Sequence, residues 1–188
     1  MPTKSSQSSD AKATDAIALL TADHKAVKAL FDDFKQLAED DEAVEEKTAL
    51  VQTLCNELTV HAEIEEELFY PAARDALDDD PLLDEAEVEH ATAKDLIEQL
   101  QTMIPGDNLF DAKVTVLSEY IDHHVKEEES ELFPKLRATD LDTTALGRAM
   151  ARRKVELKAE LVMLGEEPPA MRPGRASNGS KRAAKSAR

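Results

Sequence analysis

Apolar residues recur at steps of three and four through most of the chain, the spacing that puts side chains on one face of an α-helix. From Asp15 to about Asp40 the stripe is Ile17, Leu20, Val27, Phe31, Phe34 and Leu37, with Thr14 or Asp15 as N-cap. A second helix, about 42–70, carries Val44, Val51, Leu54, Leu58 and Leu68 inward. Pro71 kinks or ends it, and Ala72 to Leu77 adds a further turn. Asp80 as N-cap and Pro81 at the first helical position open a third helix to about Met103, with Ala86, Ala93, Ile97, Leu100 and Ile104 in phase. After the turn Pro105-Gly106-Asp107-Asn108, which offers a ready N-cap, a fourth runs to about Ala138 on Val114, Leu117, Ile121 and Leu132. A last amphipathic segment, Asp142 to Leu164, carries Leu146, Met150, Leu157 and Leu161 and stops at Gly165. Short connections make successive helices antiparallel neighbours. The pattern therefore predicts an all-α protein, an up-down-up-down four-helix bundle with an additional C-terminal helix. Residues 1–13 are expected to be a disordered arm, 14–165 the domain, and 166–188 a disordered basic tail.

Polar residues interrupt each inward stripe at one level. His24 takes the slot between Leu20 and Val27, His61 and Glu65 lie in phase with Leu58 and Leu68, His90 sits between Ala86 and Ala93, and His124 and Glu128 follow Ile121. Burying a carboxylate without a partner costs several kcal/mol, on the order of 3–5 even in a relaxed site, so a cation is expected beside Glu65. The stretch His61-Ala62-Glu63-Ile64-Glu65 through Pro71 returns as His124-Val125-Lys126-Glu127-Glu128 through Pro134, with each Pro at the same offset from its His. Asp23-His24 and Glu89-His90 precede the two copies, so the chain is two helical hairpins related by a pseudo-twofold axis. An imidazole and a carboxylate at i and i+4 reach one point beside a helix. Four His and two Glu exceed what one tetrahedral zinc needs and suit two ions, with Glu65 and Glu128 bridging them. Nitrogen and oxygen donors without thiolate favour iron, with manganese or zinc as alternatives, and leave positions open for a small molecule.

Neighbouring candidates fall off this stripe. His123 is turned about 100° from His124. Glu66, Glu127 and Glu129 are read as solvated, Tyr70 and Tyr120 as rim residues, and Cys55 as a packed side chain rather than a redox thiol.

Charge narrows the partners. Among 188 residues, 40 acidic against 23 basic give a net charge of −17, which draws cations and argues against nucleic acid as partner of the folded part. The tail from Glu166 onward reverses this sign, with six basic residues against two acidic, and offers a contact for a protein partner. A single Cys excludes an intramolecular disulfide, and no apolar run approaches the ~20 residues of a membrane span, so a cytoplasmic protein with no membrane partner is expected.

The Asp-His, His-xxx-Glu-Glu and Leu-Phe-(Tyr)-Pro elements, taken together, resemble those of the hemerythrin-like HHE cation-binding domain, over roughly residues 15–165. The resemblance implies a four-helix bundle holding a non-haem di-iron centre with an oxo or hydroxo bridge, and metal ligands at His24, His61, Glu65, His90, His124 and Glu128. Oxygen-carrying members place a second His one turn after the third-helix His, and here that position is Lys94. A less saturated iron turns the expectation from reversible O2 carriage toward reaction or sensing with O2, peroxide or nitric oxide. The alternative reading is a metal-storage or redox/iron sensor module that acts through a partner without turnover.

Overall fold

The computed structural model describes residues 15–37, 40, 42–78 and 80–165. The expected arm and tail lie outside these residues, as does Thr14. Among those described, all regular structure is helical. Helix α1 is Ala16–Leu37, capped by Asp15, whose Oδ1 accepts from the Ala18 N–H at 3.1 Å. Helix α2 runs Val44–Ile64, widens into a π turn at Glu65–Phe69, and continues as Tyr70–Leu77 to a left-handed stop at Asp78. Helix α3, Pro81–Gln101, starts as the sequence implies, with the Asp80 carboxylate accepting from the Leu82 N–H. Helix α4 repeats the form of α2, with Phe110–Glu127, a π turn at Glu128–Leu132, and Phe133–Arg137. Helix α5 is Thr143–Gly165, capped by Asp142 through the Ala145 N–H.

Helices α1 to α4 form the ring of the bundle, each packed on its sequence neighbour, with α4 closing on α1. Helix α5 lies across α1 and α2. Met150 and Leu157 face inward there, and Lys158 pairs with Glu57, Arg153 with Glu67, and Thr143 with Asp15.

The core has two apolar layers. One gathers Ile17, Leu20, Ile64, Phe69, Leu83, Leu132, Phe133 and Leu136. The other gathers Val27, Phe31, Leu54, Leu58, Ile97, Leu100, Phe110 and Leu117. Each buried aliphatic or Phe side chain contributes about 1.5–3 kcal/mol. The interrupted stripes mean that His24, His61, His90 and His124 fall between the layers, one from each helix of the ring.

Both π turns begin at a glutamate of the repeat and end before its proline. The Tyr70 N–H reaches back five residues to the Glu65 carbonyl, and the Phe133 N–H does the same to Glu128. The wider turn lies directly before a proline, whose ring would otherwise meet the carbonyl four residues back. Helix α2 therefore passes through Pro71 without ending. It also corrects the phase expected from a uniform helix, because Phe69 is fully buried while Leu68 is half-buried.

Helix ends account for three further differences from the sequence reading. Val44 and Ile104 were placed inward but are exposed, being the first residue of α2 and a residue beyond the end of α3. Asp107 does not cap α4 through its carboxylate, which instead accepts from the Ile104 N–H within the turn. Leu109, at φ 71°, holds the N-cap position without a side-chain bond.

Candidate metal centre

His24, His61, Glu65, His90, His124 and Glu128 converge in the plane between the two layers, none more than 6% exposed. They form two histidine pairs. His24 and His61 have ring centroids 5.0 Å apart, and His90 and His124 4.8 Å apart. Each glutamate touches one member of each pair. Glu65 Oε2 lies 3.2 Å from His61 Nε2 and 3.3 Å from His90 Nε2, while Glu128 Oε2 lies 3.3 Å from His24 Nε2 and 3.8 Å from His124 Nε2. Candidate ligand atoms of His24, His61, Glu65 and Glu128 fall within 4.8 Å of one another, as do those of Glu65, His90 and His124.

The cluster fits a bound cation by its unmet needs. His24 Nε2, both ring nitrogens of His61, both oxygens of Glu65 and Oε2 of Glu128 are buried and lack a hydrogen-bond partner. Among the described residues the only other such atom is Oδ2 of Asp23, which faces His61. Leaving one such group unsatisfied costs about 1–3 kcal/mol, more if charged, so this layer opposes folding unless something binds in it. Its donors are imidazole nitrogen and carboxylate oxygen, a set that suits iron, manganese or zinc.

The electrostatics carry the same strain. Burial lifts the Glu65 carboxyl well above the usual range, and the neighbouring Glu128 charge lifts it further. Burial acts on Glu128 in the same sense, but the charge of His124 and the close approach of His24 outweigh it and hold that carboxyl low. Burial pushes His61 down to about 4, so this ring stays neutral and keeps a lone pair free.

A ring of carboxylates holds the outer nitrogens of the histidines. His24 Nδ1 meets Glu129 at 3.0 Å, His90 Nδ1 meets Glu66 at 3.0 Å, and His124 Nδ1 meets Glu89 at 2.9 Å. His61 Nδ1 lies 3.7 Å from Asp23, a longer contact, and Asp23 is also held by Lys154 of α5. A proton fixed on Nδ1 leaves Nε2 aimed inward as a lone pair, the tautomer that binds a metal. Glu66 and Glu129 are expected from the sequence to be solvated, and Glu129 is exposed and Glu66 partly so, but the expectation misses that each also holds a histidine. They occupy equivalent places in the two copies, each one residue after a core glutamate, and that duplication was the signal to use. Asp23 and Glu89 likewise each precede a core histidine, and each serves the histidine of the next helix.

Tyr70 is a second correction. Rather than a rim residue it is 2% exposed, with its hydroxyl 3.2 Å from His90 Nε2 and donating to Glu128 Oε1 at 3.1 Å. Burial, then the Glu65 charge, keeps this phenol protonated. Its counterpart in the second copy is Phe133, stacked on His24 at 5.9 Å. The two histidine pairs thus differ by one hydroxyl. Tyr120 is exposed, as is His123, which lies 3.4 Å from both Glu89 and Glu127 at the surface. Cys55 is buried in the layer that holds Val27 and Leu54, and its thiol is pushed up to about 11 by burial, in keeping with a packing role.

The chain is similar to known proteins. The family model described as the hemerythrin HHE cation binding domain matches residues 15–136. A crystal structure of a hemerythrin HHE cation-binding-domain-containing protein from Mycobacterium kansasii superposes with a TM-score of 0.66 at 26% identity, covering 81% of this chain and 93% of that one. A protein of Nostoc sp. (strain PCC 7120 / SAG 25.82 / UTEX 2576) described as a DNA nickase is 31% identical over 134 residues. That match takes in 70% of this chain and 36% of the relative, so the chain spans about a third of the length of the curated relative it matches. With the family model covering well over half of its residues, the chain belongs to the hemerythrin HHE cation-binding domain family.

Proposed function

We propose that this domain holds two non-haem iron ions and uses them to bind, sense or react with O2, peroxide or nitric oxide. The observation that carries the reading is the straddling pair of glutamates, each against one histidine of either pair, with both oxygens of Glu65 and Oε2 of Glu128 lacking a hydrogen-bond partner. His24 and His61 would hold one ion, His90 and His124 the other, and Glu65 and Glu128 would bridge. Bound iron supplies one-electron redox chemistry and open positions for a small ligand. The chain supplies the rest. Glu66, Glu89, Glu129 and Asp23 orient the imidazoles, and the two apolar layers keep bulk water out. The Tyr70 hydroxyl stands as a hydrogen-bond donor on the His90 side alone.

Lys94 stands where oxygen carriers have a further His, and this favours reaction or sensing over reversible carriage. The test is metal analysis of purified protein together with the absorption spectrum of the air-exposed iron form before and after adding peroxide or nitric oxide. About two irons per chain and a spectrum that responds to either ligand are expected. A colourless protein without stoichiometric metal would refute the proposal.

A second reading is favoured by one contact. Lys154 of α5 binds Asp23, which faces His61, so a change of charge at that imidazole is felt at the fifth helix. In this reading the domain is a metal or redox sensor that acts through a protein partner without turnover. Steady peroxide consumption by the iron form would exclude it, and metal-dependent hydrogen exchange in 143–165 without turnover would favour it. We place the protein in the cytoplasm, with no membrane or nucleic-acid partner for the folded part. No helix among the described residues is long and apolar enough to cross a membrane.

A further inference from the structure

Beside the four histidines lies a narrow cavity of about 20 Å³, walled by them and by side chains of the apolar layer that holds Val27 and Leu54, such as Leu58, Ile97 and Ile121. Apart from the histidines, the only polar residue in its wall is Lys94. The same lysine lines a surface cleft of about 300 Å³ with Glu66, Glu87 and Ala91. The Lys94 side chain, 35% exposed, thus stands between solvent and the site. Its ammonium is tethered by Glu66 at 2.7 Å and lies 3.5 Å from Glu63. The other oxygen of Glu66 holds His90 Nδ1.

We propose that Lys94 is the gate of the access route to the metal centre, and that the route selects a small uncharged diatomic molecule. The inference rests on the metal reading above and narrows its ligand class. Three features argue for it. The cavity has room for about one water-sized molecule. The surface that its wall turns to a guest is almost wholly apolar, which disfavours water, peroxide and ions. At the mouth the Lys94 ammonium lies against Glu63 and Glu66, with Glu87, bonded by Arg74, lining the same cleft, and in a protein of net charge −17 these carboxylates repel anions. The stem of Lys94 must swing aside for entry, and the ion pair with Glu66 holds it closed. Because Glu66 also holds His90, the closed gate and the oriented imidazole share one carboxylate.

The test is stopped-flow binding of nitric oxide and of azide to iron-loaded wild type, Lys94→Ala and Lys94→Met, with iron content measured on each sample. Lys94→Ala removes both stem and tether, and Lys94→Met keeps the stem without the charge. Nitric oxide should associate faster than azide with the wild type. Its association and dissociation rates should both rise, about tenfold in Lys94→Ala and less in Lys94→Met, with Kd changing less than threefold and iron content unchanged. A structural role alone would alter iron content or Kd rather than raise both rates together. Rates within twofold of wild type in both variants would overturn the gate while leaving the metal reading intact, as would azide outpacing nitric oxide in the wild type. Absence of bound iron would overturn both.

Discussion

Glu65 is fully buried, with both oxygens unsatisfied and a second carboxylate beside it. A side chain so placed works against folding of the metal-free protein. Its raised pKa means that at pH 7 the unfolded chain holds it ionised while the folded one disfavours the charge. Glu65→Gln should therefore stabilise the metal-free protein by about 1–2 kcal/mol in denaturant unfolding, while lowering the stability gained on adding iron. His61→Ala or Glu128→Ala should remove at least one ion per chain, whereas His123→Ala, at the exposed surface, should remove none. Equal losses from His123→Ala and Glu128→Ala would refute this placement of ligands.

Glu66 gives the pH-dependent counterpart. The bond from His90, then the Lys94 ammonium, holds its carboxyl down to about 2 against burial. A lowered carboxyl contributes stability that is present above the unfolded value near 4.5 and is lost as pH falls toward 2. Because the group is one-third exposed, solvent screening reduces the contribution to ~1 kcal/mol. In the metal-free protein Glu66→Gln should thus be less stable than wild type at pH 6, with the gap closing as pH falls through 4 toward 2. In the iron form the same change should weaken metal binding about 10–100-fold.

At the scale of elements, the two π turns decide what faces the core. In a uniform helix Leu68 shares the face of Glu65, but the wider turn brings Phe69 and Tyr70 inward instead. Phe69→Ala should then cost about 3–5 kcal/mol in unfolding free energy and Leu68→Ala less than about 2. The reverse order would mean the helix keeps its α phase. This was not legible in the sequence because period-3.6 reasoning assumes an unbroken phase. Pro71 and Pro134 at matching offsets marked the places where that assumption failed. The inward position of Tyr70 was missed for the same reason. Helix starts at Asp15, Asp80 and Asp142 were legible because a carboxylate cap has a local cause, while the start of α4 at Leu109 has no side-chain bond to betray it.

At the scale of the molecule, the architecture was readable because the stripes are long, and because a His at one level of every stripe is costly unless the four meet. The convergence of His24, His61, Glu65, His90, His124 and Glu128 follows from that register alone. The carboxylates around them did not, since a chain with 40 acidic residues hides four useful ones among many solvated ones. The contact between Lys154 and Asp23 links helix α5 to the centre. Lys154→Met should raise hydrogen exchange across 143–165 with a smaller effect on 110–137, because α5 loses its tether to Asp23 while the packing among the four ring helices remains.

Native mass spectrometry of the chain titrated with ferrous iron under anaerobic conditions counts the ions that this polar layer holds. Saturation at two ions per chain is expected, and at one or fewer when Glu65 or Glu128 is replaced by Ala. Saturation at a single ion, or two ions retained in both variants, would contradict this expectation.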